Sequence, residues 1–174
     1  LYQPAFLYLP FDVEYEYVRD ERSLLDSGIN LLVERAERID ALERVVNFEN
    51  GGSLDYDVLI LATGSRIDKK SIPGFREAAH HFHCRKAAER LRQELKKFEG
   101  GRVIIGASRV PYKCPYSPFE FALLFHDWVQ KKRFYRASSI SVFFPAPLDS
   151  LIPGVAKIVE EMFQERGISL IGPA

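Results

Sequence analysis

Apolar positions along the chain fall into short runs separated by turn residues. Val58-Leu59-Ile60-Leu61-Ala62 is continuous and bounded by turn signals, which predicts a buried parallel strand. Val103-Ile104-Ile105 and Ser141-Val142-Phe143-Phe144 predict two more strands. Helical spacing appears between them. Ala87, Ala88, Leu91, Leu95 and Phe98 share one face of a helix over 85–98, with charged residues opposite and Gly100-Gly101 as its stop. Ser117-Pro118-Phe119-Glu120 reads as a helix start: Ser as N-cap, Pro in the first turn, Glu closing a capping box. That helix is apolar over a wide arc through Val129, which predicts deep burial. Val155, Ile158, Val159, Met162 and Phe163 mark a further amphipathic helix that Gly167 ends before Ile168-Ser169-Leu170-Ile171.

From Arg102 onward the order is therefore strand, helix, strand, helix, strand. This is half of an open, doubly wound α/β parallel sheet. The first part of the chain differs. Ser23–Ser27 reads as a helix end capped by Gly28, and Ile29–Val33 as a strand. Val45–Phe48 and Leu54–Val58 flank Glu49-Asn50-Gly51-Gly52-Ser53, a β-hairpin signal. Ser71-Ile72-Pro73-Gly74 is a turn and a candidate hinge. The expected division is 1–72 and 73–174. The aromatic opening Leu1–Pro10 and the closing Gly167–Ile171 both read as fold interior, so the chain is expected to begin and end inside a fold.

Composition narrows the functional classes. Of 174 residues 47% are hydrophobic, and Lys+Arg and Asp+Glu are both 24. That balance offers nothing to nucleic acid. No apolar run approaches the length of a membrane span. Cys84 and Cys114, the two cysteines, form no CxxC pair, no disulfide framework and no zinc set. His80, His81 and His83 have no fourth ligand at metal spacing and read as a solvated helix-entry cluster. His126, on an apolar helix, reads as a core histidine.

Two segments carry chemistry. Tyr56–Gly64 ends in Ala62-Thr63-Gly64, where small residues at a strand's carboxyl end let a dinucleotide approach the backbone. The second is the loop after Val103–Ile105. A nicotinamide-binding domain carries GxGxxG there. This loop runs Gly106-Ala107-Ser108-Arg109-Val110-Pro111-Tyr112-Lys113-Cys114-Pro115-Tyr116. It has one glycine, and Pro111 and Pro115 lack N–H donors. Such chemistry argues against NAD(P)H as donor. Cys114 stands in its place, with Lys113 and the following helix start both favouring a thiolate.

The hairpin, the strand ending Ala-Thr-Gly, Ile72-Pro73-Gly74 and the new α/β unit together resemble the two-dinucleotide-domain flavoprotein disulfide reductases. Cys114-Pro115-Tyr116-Ser117-Pro118-Phe119-Glu120 resembles the Cys-Pro-x-x-Pro-Tyr/Phe-Glu segment of sulfide:quinone oxidoreductases and flavocytochrome c sulfide dehydrogenases. The resemblance implies a Rossmann-like parallel sheet with helices, preceded by part of an FAD-binding domain with its β-hairpin. It implies that 1–72 belongs to the FAD domain and 73–174 to a degenerate NAD(P)-type domain. By the same resemblance Cys114 is redox-active, Cys84 is a second candidate, and Thr63, Gly64 and Pro4 lie at FAD. The family's remaining flavin motifs and its later catalytic cysteine are not in the sequence, so the chain alone is expected to be inactive and to hold FAD poorly. In the intact protein, sulfide would attack a disulfide or persulfide that includes Cys114, and two electrons would pass to FAD and on to quinone or a cytochrome. A cytoplasmic or peripheral-membrane location follows. Alternatives are a type II NADH:quinone oxidoreductase and a non-catalytic Rossmann-like module.

Overall fold

The computed structural model describes residues 6–12 and 20–172. The elements are β1 (Ala36–Asp40), β2 (Val45–Phe48), β3 (Ser53–Asp55), α1 (Phe75–Ala78), α2 (Arg85–Leu95), β4 (Gly101–Gly106), α3 (Ser117–Lys131), β5 (Ser138–Phe143), α4 (Leu148–Leu151), α5 (Ala156–Glu165) and β6 (Ser169–Ile171). Short 3-10 turns occupy Leu9–Phe11, Glu21–Leu24 and Tyr135–Ala137. The chain separates into two compact units between Ile72 and Pro73, with the opening segment that contains residues 6–12 assigned to the second.

In the first unit β1, β2 and β3 form an antiparallel sheet in that order. The hairpin at 49–53 closes as its sequence demands: Gly51 adopts φ +86, a value that costs a residue with a Cβ. Asp40 holds the preceding turn, its Oδ1 accepting from the N–H groups of Leu42 and Glu43, both at 3.2 Å. Those backbone bonds, then the Arg38 guanidinium, keep its carboxyl below the usual range.

Two expected strands of this unit do not form. Ile29–Val33 and Val58–Ala62 have no regular secondary structure. Val58 is 82% exposed and Ile60 84%. The apolar composition of Val58–Ala62 suits a strand covered on both faces, but no described strand pairs with it, and a lone strand cannot satisfy its own backbone. Ser23–Ser27 also differs, since the helical turn is 3-10 and stops at Leu24, N-capped by the Asp20 side chain.

The second unit holds the core. β4, β5 and β6 form a parallel sheet in that order, with Val103 opposite Ile140 and Ile105 opposite Val142. This is the mixed α/β fold expected from the alternation of strands and helices. Val103, Ile105, Ile140, Val142 and Leu170 lie on one face and join a single apolar cluster with Phe125 of α3 and Phe163 of α5. Phe125 and Phe163 are fully buried, each worth about 2 kcal/mol of transfer free energy. The other face carries Ile104, Phe143 and Ile171, all exposed. A doubly wound sheet is covered on both faces; among the described residues this one is covered on one.

The helix ends are mixed. Gly167 ends α5 as expected, with φ +64 and the Ile168 N–H donating to the Phe163 carbonyl at 2.9 Å. α2 stops at Leu95, three residues short of Phe98. The capping box at α3 does not form. Tyr116 takes the N-cap position, Ser117 is buried, and among the described residues its Oγ has no hydrogen-bond partner. Glu120 accepts instead from the Tyr8 hydroxyl. Of the opening segment, the described residues from Phe6 to Phe11 are packed: Phe6 and Leu9 cluster with Ala88, and the Phe11 ring lies 5.0 Å from that of Phe121.

Candidate functional site

The β4–α3 connection is held as a shaped turn. It leaves the carboxyl end of β4, where open α/β sheets bind ligands. The Tyr112 hydroxyl donates to the Pro115 carbonyl at 3.0 Å and bridges the turn that carries Lys113 and Cys114. Burial, and then the charge of the nearby Cys114 sulfur, raise the Tyr112 hydroxyl above its ordinary value, so it remains a donor. Cys114 itself is exposed and left-handed, with φ +59. A side chain other than glycine is strained there, and such strain gathers where a loop must present one group.

The same loop closes the start of α3 to anions. The Ser117 N–H donates to the Cys114 carbonyl at 3.0 Å, and those of Phe119 and Glu120 both donate to Tyr116 at 3.1 and 3.0 Å. Pro118 has no N–H to give. Three of the donors at the helix start are thus spent on the loop's own carbonyls. Gly106, the loop's one glycine, also has a structural task. A Cβ there would lie 2.4 Å from the Phe143 carbonyl oxygen, so the glycine admits β5 rather than a phosphate.

The start of α2 comes to this region through aromatic packing. The Phe82 ring stacks on that of Phe121, one turn into α3, at 4.8 Å and 6°. The His83 ring follows at 5.0 Å from Phe82, and the His81 ring stacks with it at 6.3 Å. His83 is half-buried rather than solvated. Burial first, and then the Lys113 cation, hold its imidazole below the usual range. The closeness of His83 to Lys113 is not readable from the sequence, because the two are thirty positions apart and come together through tertiary packing such as the stack of Phe82 on Phe121. Cys84 is the N-cap of α2 and is exposed. The two thiols therefore belong to one end of the second unit. Among the described residues no group of three or more His, Cys, Asp and Glu side chains is arranged for a metal.

Thr63 and Gly64 lie in the first unit on an exposed stretch without regular structure. Gly64 has φ +74, and a Cβ there would meet nothing within 4 Å. Pro4 lies outside the described residues. His126 is 6% exposed and is satisfied by Asp127 at 3.2 Å and Gln130 at 3.5 Å, as befits a core histidine.

A parallel α/β unit whose first crossover loop presents a thiol, preceded in the sequence by an antiparallel hairpin unit, defines a class of dinucleotide-fold redox proteins. The chain belongs to the pyridine nucleotide-disulphide oxidoreductase family, whose signature matches residues 9–172. It is 22% identical over 160 residues to the mitochondrial sulfide:quinone oxidoreductase of Mus musculus, covering 88% of this chain and 35% of that protein. It is 26% identical over 156 residues to the sulfide-quinone reductase of Aquifex aeolicus, covering 83% and 35%. An NADH dehydrogenase-like protein of Mycobacterium tuberculosis is 33% identical over 84 residues, 48% of this chain and 21% of that one. The solved sulfide:quinone oxidoreductase of Aquifex aeolicus superposes with a TM-score of 0.78 at 23% identity, over 98% of this chain and 42% of that one. The likeness to sulfide:quinone oxidoreductases carried by the Cys114 segment thus extends to sequence relatives and to the fold. The chain spans about a third of the length of the first curated relatives it matches.

Proposed function

We propose that this chain is the thiol-bearing part of an FAD-dependent oxidoreductase that oxidises sulfide and delivers the electrons to quinone. The observation that carries the reading is the Cys114 loop. An exposed thiol on a left-handed residue sits in the loop after β4, and the Ser117, Phe119 and Glu120 N–H groups of the adjoining helix start are bonded to that loop's carbonyls.

The residues present fit a flavin as one wall of its site. Gly64 is left-handed with open space around it, so a planar ring or a phosphate can approach its backbone. Thr63 and Gly64 would hold FAD, with Pro4 the third candidate. When bound, FAD supplies a two-electron acceptor. The chain's own contribution is at sulfur. Lys113 draws hydrosulfide anion towards the loop. The anion attacks a disulfide that includes Cys114. One S–S bond breaks, one forms, and the displaced sulfur leaves as a thiolate. Tyr112 keeps the turn in shape during the exchange. Cys84, at the head of α2, is the second thiol candidate.

Quinone as acceptor implies contact of the whole protein with a membrane surface. No helix among the described residues is long and apolar enough to cross one. The decisive experiment is Cys114→Ser in the whole protein, read as sulfide-dependent quinone reduction. The proposal expects loss of about a hundredfold or more, in line with removal of a covalent nucleophile. An unchanged rate would point instead to a non-catalytic Rossmann-like module.

The partial likeness to an NADH dehydrogenase-like protein favours a second reading, a type II NADH:quinone oxidoreductase. The consumed amides at the start of α3 speak against it. Bleaching of the flavin in the whole protein by NADH, with none by sulfide, would establish it.

A further inference from the structure

At the far ends of α2 and α3, roughly 20 Å of helix away from the Cys114 loop, lies a cavity of about 180 Å³. Its walls are aromatic. Phe98 stands 6.2 Å from Trp128 and 6.5 Å, edge-on, from Phe134. Its charged lining is basic on balance: Arg92 is paired with Asp12, which leaves Lys96 and Lys132.

Lysines at helix C-termini commonly compensate unpaired carbonyls, but these carbonyls are already bonded. Arg92, Glu94 and Leu95 accept from the N–H groups of Lys96, Lys97 and Phe98, all within 3.1 Å. Trp128, Val129 and Gln130 accept likewise from Lys132, Phe134 and Arg133. Among the described residues neither Lys96 nor Lys132 has an ion-pair partner. Among the described residues two lysines without an ion-pair partner thus line a hollow with aromatic walls.

The space suits one ring. Pockets for larger ligands measure about 300 Å³ and more, so a dinucleotide is excluded by size. An inorganic anion would leave the aromatic walls unused, and a neutral ring would leave the lysines unused. The geometry points to a second binding site, separate from the thiol loop, for a small aromatic carboxylate: its ring lies against Trp128 and Phe134 and its carboxylate between Lys96 and Lys132. The site stands independently of the sulfide reading.

Trp128 is the single tryptophan of the chain, so its emission reports on this cavity alone. The 174-residue chain is titrated with benzoate, with benzamide as the neutral ring and acetate as the ringless anion. Benzoate is expected to change the emission saturably, with benzamide and acetate at least tenfold weaker. The double variant Lys96→Gln/Lys132→Gln is expected to bind benzoate at least tenfold more weakly, with an unchanged far-UV circular dichroism spectrum. Both positions are exposed, so the variant retains the fold. An emission change linear in benzoate, benzamide as effective as benzoate, or a double variant that binds normally would each overturn the assignment.

Discussion

The ring of Phe82 lies parallel to that of Phe121, 4.8 Å away, and this stack joins the start of α2 to the first turns of α3. Through it the residue before His83 and Cys84 is fixed on the helix that follows Cys114. A double-mutant cycle measures the link. Phe121→Ala alone is expected to cost about 3 kcal/mol, because that side chain is 5% exposed. The coupling with Phe82→Ala should be about 1 kcal/mol by urea unfolding. A coupling near zero would mean that the two helix starts are held by other contacts.

His83 makes stability depend on pH. Its folded value is lowered from 6.5 by burial and by Lys113, so below about pH 6.5 the unfolded chain takes up a proton that the folded one resists. Stability is therefore lost as pH falls through the unfolded value, and continues to fall until the folded value is reached. Unfolding midpoints at pH 7.5 and 5.5 should differ in that direction. The difference should shrink in His83→Gln, and an equal difference in both proteins would remove His83 as its source.

Ser117 and Tyr8 should move stability in opposite directions. The buried Ser117 Oγ has no partner, so Ser117→Ala is expected to stabilise by about 1 kcal/mol. Tyr8→Phe strands the Glu120 carboxylate and should destabilise by about 1.5 kcal/mol. Thermal melts of the two variants side by side give the signs.

Gly106→Ala tests whether the glycine serves strand packing. The new Cβ meets the Phe143 carbonyl oxygen at 2.4 Å, a backbone contact that no rotamer change relieves, as well as the Phe143 ring. A loss of about 2 kcal/mol is expected. Retention of full stability would mean that β5 does not require a glycine at this position.

Residues 20–72 should be cut first by a protease. The first unit has one buried hydrophobic residue among those described, Val46, while the second holds the apolar clusters. Few buried contacts mean low local opening free energy. Limited digestion followed by mass spectrometry is expected to leave a product that contains residues 73–172. Primary cleavage inside α3 would contradict this.

The sequence by itself determined the parts whose physics is local or one-faced. The apolar runs Val103–Ile105 and Ser141–Phe144, the amphipathic spacing of α2 and α5, Gly51 at the hairpin and Gly167 after α5 all act within a few residues, and each appears in the fold. The thiol in place of a glycine-rich turn was legible for the same reason. Tertiary structure decided what depends on distant neighbours. Val58–Ala62 has the composition of a buried strand, yet composition supplies no pairing partner, and the segment lies exposed. The capping box was written correctly in residue types, but Tyr8, from the opening segment, took Glu120 and left Ser117 inside the core. His83 looked like one of three solvated histidines until the stack of Phe82 on Phe121 brought it to Lys113 and half-buried it. Long-range packing, not local preference, set the surroundings of His83.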